Sequence, residues 1–256
     1  MTSGRVALAR VIALLGIGLL VAGCSAVVTG RALPRPRWAP RSVSGQTVRQ
    51  VLLGDSSLSR ILNQELVIDP RFPPRFGGAE TLQRDALTSS ADCVGVPLML
   101  QQSVYRGGAV KDVAFETWRH VAKSSEVTSV KEGVVSMPSA ADANALFERF
   151  SQQWQKCDRA VQPLPDNVVR LNATISNVQN AAAVLAATIS IVLATPRSDW
   201  EAIPAGRAIG VRDNCLIEVE VDFFNPPKRS SRQPDEINSA AVNVARNIMD
   251  RVHELS

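Results

Sequence analysis

Histidine is nearly missing from this chain: His120 and His253 are the two it has in 256 residues. A serine or cysteine nucleophile needs a base positioned to take its proton, so at most two places could host a histidine dyad. Neither is accompanied by a nucleophile signature. The sequence contains no GxSxG elbow, no HExxH, no phosphate loop and no GxGxxG. His253 falls in the last turn of an expected terminal helix, where a side chain that caps the helix end is the plain explanation. His120 follows Trp118 and Arg119 at the end of an expected strand and reads as a surface residue. No catalytic residue is assigned, and the domain is expected to be non-catalytic.

Cysteine is scarce as well. Cys24, Cys93, Cys157 and Cys215 are the four present, and no two stand at CxxC spacing. That leaves zinc binding without support, and neither a metal nor a cofactor is expected. A strong charge imbalance is lacking too. The formal net charge is +4, and it falls to +2 if the first 23 residues, which carry Arg5 and Arg10, are removed. So balanced a chain has no electrostatic footprint for nucleic acid.

What the chain does have is a leader. Arg5 and Arg10 supply a positive start, and Val11 to Ala22 form an apolar stretch interrupted by Gly16 and Gly18. Ala22 and Gly23 then precede Cys24, the layout of a cleaved export signal. Leu20-Val21-Ala22-Gly23-Cys24 looks like a bacterial lipobox, in which Cys24 becomes the acylated first residue. The competing reading is an uncleaved membrane helix, since uncharged residues run from Val11 to Gly30. A diacylglyceryl cysteine carries two or more chains, enough for stable anchoring. The expected organisation is a signal peptide over 1–23, a lipidated tether over 24–46 and one domain over 47–256. Pro34, Pro36 and Pro40, with arginines between them, mark the tether.

Within the domain the periodicities predict a helix in two pieces over Val48 to Leu62 and an irregular, proline-rich loop over 69–80. A short helix is expected over Val96 to Val104, then a turn at Tyr105-Arg106-Gly107-Gly108. Strands are expected over Val110 to His120, Val127 to Met137 and Val184 to Leu193. Ser139 is a natural N-cap for a helix whose Ala143, Leu146, Phe147, Phe150, Trp154 and Cys157 share one core-facing side. Arg207 to Val211 and Cys215 to Phe223 flank a turn at Arg212-Asp213-Asn214. A last helix begins near Asp235, burying Ile237, Ala241, Val244, Ile248, Val252 and Leu255.

One charged constellation stands out. In the Cys215 to Phe223 arm, Cys215, Ile217, Val219, Val221 and Phe223 fall on one face, and Leu216, Glu218, Glu220 and Asp222 on the other. Three like charges in a row repel unless solvated or paired. A solvated face is the expectation; a wall for a cation or amine, and pairing with neighbouring arginines, are the alternatives.

The order of these features resembles a known family. Cys93 stands before a Tyr105-x-Gly107 turn, followed by strands, by Pro138-Ser139-Ala140-Ala141-Asp142-Ala143 and by Trp154-Gln155-Lys156-Cys157. Ala208-Ile209-Gly210-Val211-Arg212-Asp213-Asn214 then leads into a β-rich arm and a terminal helix. This is similar to the mycobacterial PknH-like extracellular sensor domain, over about residues 48–254. The resemblance implies an α+β fold, an antiparallel sheet with helices packed on it, and a cleft for an unknown ligand. It also implies a disulfide between Cys93 and Cys157. Cys215 matches the later member of the family's second bridge, but no cysteine between Cys157 and Cys215 could partner it, so that bridge is absent.

The reading is therefore a lipoprotein anchored on the extracytoplasmic face of the cell membrane, with a sensor-like domain that binds a small-molecule or cell-envelope ligand. Its rival is a carrier that holds a lipid or cell-wall precursor in an apolar cleft.

Overall fold

The computed structural model describes residues 42–84, 93–122, 126–164, 171–193, 202–224 and 234–256. The leader, Cys24, most of the tether and residues 225–233 lie outside the described residues. Packing already begins at Val43, a buried residue whose N–H donates to Asn214 Oδ1 at 2.8 Å while Asn214 Nδ2 donates back to its carbonyl at 2.9 Å.

Two short helices follow, α1 (Thr47–Val51) and α2 (Asp55–Leu62), at the two pieces expected from the sequence. Strands β1 (Leu66–Ile68) and β2 (Arg75–Gly77) both pair antiparallel with β3 (Asp112–His120), along different halves of the same edge. Between them the chain carries Pro70, Pro73 and Pro74. Proline has no N–H to give a ladder, so residues 69–74 leave the edge as a loop. The sequence expected a loop over all of 69–80 and did not anticipate either strand.

β4 (Val127–Ser136) pairs with β3, and helix α4 (Ala140–Cys157) follows. Ser139 Oγ accepts from the Asp142 N–H at 3.2 Å and donates to the Asp142 carboxylate at 2.6 Å. That reciprocal cap fixes the helix start, and the six apolar residues expected on its inner side are all buried. β5 (Val161–Leu164), β6 (Leu171–Ala181), β7 (Val184–Leu193), β8 (Ile203–Arg212) and β9 (Cys215–Phe223) complete the strands, and α5 (Pro234–Leu255) ends the chain. The segment expected to be helical from Val96 to Val104 is instead a series of turns from Cys93, with only α3 (Gln102–Tyr105) helical. Leu255, expected in the buried stripe of α5, is exposed.

Among the described residues nine strands form one antiparallel sheet, ordered β1-β3-β4-β9-β8-β7-β6-β5 with β2 also on β3. One face, bearing Val130, Val134, Ile217, Val219 and Val221, packs against α5, α1 and α2. The other, bearing Val113, Val135, Leu185, Ile209 and Leu216, packs against α4 and the 93–105 segment. β9 thus lies at the middle of a sheet covered on both sides. Cys93 and Cys157 are bonded, S–S 2.09 Å, tying the 93–105 segment to the end of α4. A crosslink over 64 residues stabilises by about 4 kcal/mol in the chain-entropy account. Cys215 is a free, buried thiol on the α5 face, and burial pushes its pKa up to about 12. A thiol held protonated is a poor nucleophile.

The helix-to-sheet contact is closest at Gly206, where an added Cβ would run into the Ile237 carbonyl of α5. That neighbour is backbone and cannot rotate away. Gly206→Ala is expected to destabilise the domain by about 1–3 kcal/mol, read as a lower denaturant midpoint at unchanged slope.

Candidate functional site

The acidic row of β9 is buried and paired, which corrects the expectation of a solvated face. Register sets the pairing: Glu220 stands directly opposite Lys131 of β4 on one side and Arg207 of β8 on the other. Glu220 forms a close ion pair with Lys131 and lies 3.8 Å from Arg207 Nε. The fully buried Arg207 guanidinium reaches Glu218 Oε2 at 2.8 Å, the Val96 carbonyl at 2.9 Å and the Val219 carbonyl at 2.8 Å. Glu218 Oε1 in turn accepts from the Tyr105 hydroxyl at 2.6 Å and from the Leu100 N–H at 3.2 Å. Leu100 adopts φ 55° to present that N–H, a left-handed conformation that costs a non-glycine residue about 1–2 kcal/mol. Asp222 lies 3.5 Å from Lys131 and accepts from Ser129 Oγ.

Burial opposes charge on all three members at the outer end of the row, and the pairing decides the outcome. Lys131 is pushed up by Glu220 and Asp222 despite burial. Glu220 is held down by Lys131 and Arg207 against the same penalty. Asp222 is raised, by burial and then by the Glu220 charge.

Beside this row the sheet face is left open. A pocket of about 460 Å³ has Phe115, Thr117, Lys131 and Glu220 on its floor. The disulfide-tethered segment supplies one wall, Leu98 and Met99, held by Gln83 N–H donating to the Leu100 carbonyl at 2.8 Å. The loop ejected from the β3 edge supplies the other, with Arg71, Phe72 and Pro73, and Arg75 follows at the start of β2. Arg71 is fixed by the buried Asp69, Nη2 to Oδ2 2.6 Å and Nε to Oδ1 3.0 Å. Arg75 stacks on Phe115, its guanidinium carbon 4.8 Å from the ring centroid. A neighbouring, more open recess of about 580 Å³ shares Arg71 and adds Arg119, His120, Thr128 and Ser129.

The opposite face of β3 and β4 carries a further buried carboxyl. Glu132 accepts from Trp118 Nε1 at 3.0 Å and from the Leu53 N–H at 3.1 Å, and it faces Glu116 across the ladder. Burial drives its pKa up to about 8, with the Glu116 charge adding to the rise and the two N–H donors and Arg251 opposing it.

His120 Nδ1 is 2.9 Å from the Thr128 carbonyl and its ring packs edge-on against Phe224, while the exposed His253 lies 3.9 Å from Asp213. Among the described residues no cluster of three metal-ligating side chains occurs, and no helix is long and apolar enough to cross a membrane. Lys131, Arg71 and Arg75 were not singled out from sequence, and Tyr105 was read only as part of a turn. The one usable signal was the acidic row itself, which demands cations from its neighbours.

A family model described as the PknH-like extracellular domain matches residues 43–251. The crystal structure of the extracellular domain of PknH from Mycobacterium tuberculosis superposes with a TM-score of 0.67 at 16% identity, covering 84% of this chain and 100% of that one. A Mycobacterium smegmatis protein, the Rv0999 ortholog, gives a TM-score of 0.38 at 10% identity, covering 80% of this chain and 96% of that one. No curated protein matches the chain in sequence.

Glu132 makes stability depend on pH. Its ordinary value is 4.5 and its folded value about 8, so the folded chain holds a proton that the unfolded chain releases. Stability is full below about pH 4.5, falls as pH rises toward 8 and then levels, a loss on the order of a few kcal/mol. Glu132→Gln removes that titration. Urea unfolding at several pH values is expected to show a falling stability in the native chain and a much shallower fall in the variant over this window.

Proposed function

This chain belongs to the PknH-like extracellular domain family, and on that premise we propose that it is an exported lipoprotein, anchored through Cys24 to the extracytoplasmic face of the cell membrane, whose domain binds a ligand without chemically changing it. The family is one of extracellular domains, and the fold is that of the PknH outer domain. The α+β domain is accordingly extracytoplasmic and sensor-like.

The observation that carries the ligand-binding reading is the pocket on the open part of the sheet. Its volume of about 460 Å³ falls in the range of small-molecule sites. Its floor is held in place by the buried ion pairs of β9, and its wall by the Cys93–Cys157 bond. Rigid walls lower the entropy a ligand must lose on binding. A carrier for a lipid or cell-wall precursor calls for a larger, apolar cavity. The arginines and the Lys131–Glu220 pair in the lining weigh against it.

One experiment addresses anchor and ligand together: native and denaturing mass spectrometry of the protein purified from its own host, alongside Cys24→Ala. The expected wild-type mass is that of a chain beginning at Cys24 with added diacylglycerol, carrying a small non-covalent adduct. Cys24→Ala should lose the acyl mass. A membrane-bound chain at full precursor mass would favour the uncleaved helix, and a diacyl lipid as the adduct would favour the carrier.

A further inference from the structure

The lining of the pocket points to a ligand class. Accepting that the pocket binds a ligand, we infer that it takes a small amphipathic anion: an aromatic or short acyl body bearing one carboxylate or phosphate, seated by Arg75.

Three cations line the pocket, and they are not equivalent. Lys131 is committed to Glu220 and Asp222. Arg71 gives Nε and Nη2 to Asp69, which leaves Nη1 without an acceptor among the described residues. Arg75 has no carboxylate within ion-pair distance among the described residues; its contact is the face of Phe115. A contact through the ring face uses none of the N–H donors that a carboxylate or phosphate would take.

The acids of the pocket offer little to a cation. Glu220, the one carboxylate in the lining, is already shared between Lys131 and Arg207. Asp69 is engaged by Arg71, and Asp222 by Lys131 and Ser129. A ligand ammonium would have to break one of these pairs. An anion breaks none.

The body of the ligand is set by the remaining lining. Phe72, exposed although it is a large apolar residue, stands with Phe115, Leu98 and Met99 around the same volume. Two phenylalanines suit an aromatic or short aliphatic group, and methionine adapts to irregular shapes. At about 460 Å³ the space suits one small molecule and not a two-chain lipid.

The test is isothermal titration of the full-length chain with four probes that share one ring system: 2-naphthyl phosphate, 2-naphthoate, 2-naphthalenemethanol and 2-naphthylmethylammonium. The two anions are expected to bind about tenfold or more tighter than the alcohol, and the ammonium no better than the alcohol. Arg75→Gln should bring the anions down to the level of the alcohol and leave alcohol binding unchanged, which also reports that the pocket remains folded. Arg119→Gln, in the neighbouring recess, should leave all four affinities as they were. An ammonium that binds as well as the anions, or an anion preference that survives Arg75→Gln, overturns the anion assignment while the pocket keeps its role. Loss of the preference in Arg119→Gln instead moves the anion site out of this pocket and overturns the assignment to Arg75. Binding of none of the four overturns this inference, while the ligand-binding reading is decided separately by the co-purified adduct.

Discussion

Arg207 is a guanidinium with no access to water, and much of this domain is arranged to make that tolerable. An unpaired buried charge is prohibitive, and a paired one holds only when its hydrogen bonds are also met. Glu218 supplies the countercharge, and the Val96, Val219 and Gly95 carbonyls accept further N–H groups. Glu218 then needs donors of its own and takes them from Tyr105 and Leu100. The pair therefore reaches from the centre of the sheet into the segment that covers it. Gly133, opposite Glu218 in the ladder, keeps that space open, since an added Cβ there would press on Leu100 at 3.0 Å.

The same constraint generates the site. Because residues 93–105 are held down at Glu218 and tied to α4 through Cys93, Leu98 and Met99 stand as a fixed wall over the sheet. Because three prolines prevent continuous pairing along β3, the opposite wall stands away from the sheet edge. Between them the outer members of the acidic row, Glu220 with Lys131, form the floor. A ligand that settles there meets groups whose charges are already balanced, apart from the arginine at the rim. Charge pairs of this kind contribute specificity of arrangement more than folding energy.

Local signals made part of this legible in sequence. The Ser139 cap and the apolar spacing of α4 are set within a few residues, as are the turn at Asp213 and the stripe of α5. Alternation assigned every residue of β9 to its correct face. It could not say what covers that face, because the cover comes from residues 93–105 and the countercharges from Arg207 and Lys131 on separate strands. β1 and β2 are three residues each and owe their existence to pairing with β3. β6 carries Asn172, Asn177, Gln179 and Asn180 and has little strand character until β5 and β7 flank it. The pocket was the least legible part, since Arg71, Arg75, Leu98 and Lys131 meet through those same long-range pairings.

A double-mutant cycle on Arg207 and Glu218 tests the central claim most directly. Arg207→Met leaves a buried carboxylate and Glu218→Gln leaves a buried guanidinium, so each alone should cost about 3–5 kcal/mol in urea unfolding. The double variant buries neither charge unpaired and should cost far less than the two losses together. Near-additive losses, with a coupling below about 0.5 kcal/mol, would mean that the pair does not hold the covering segment to the sheet.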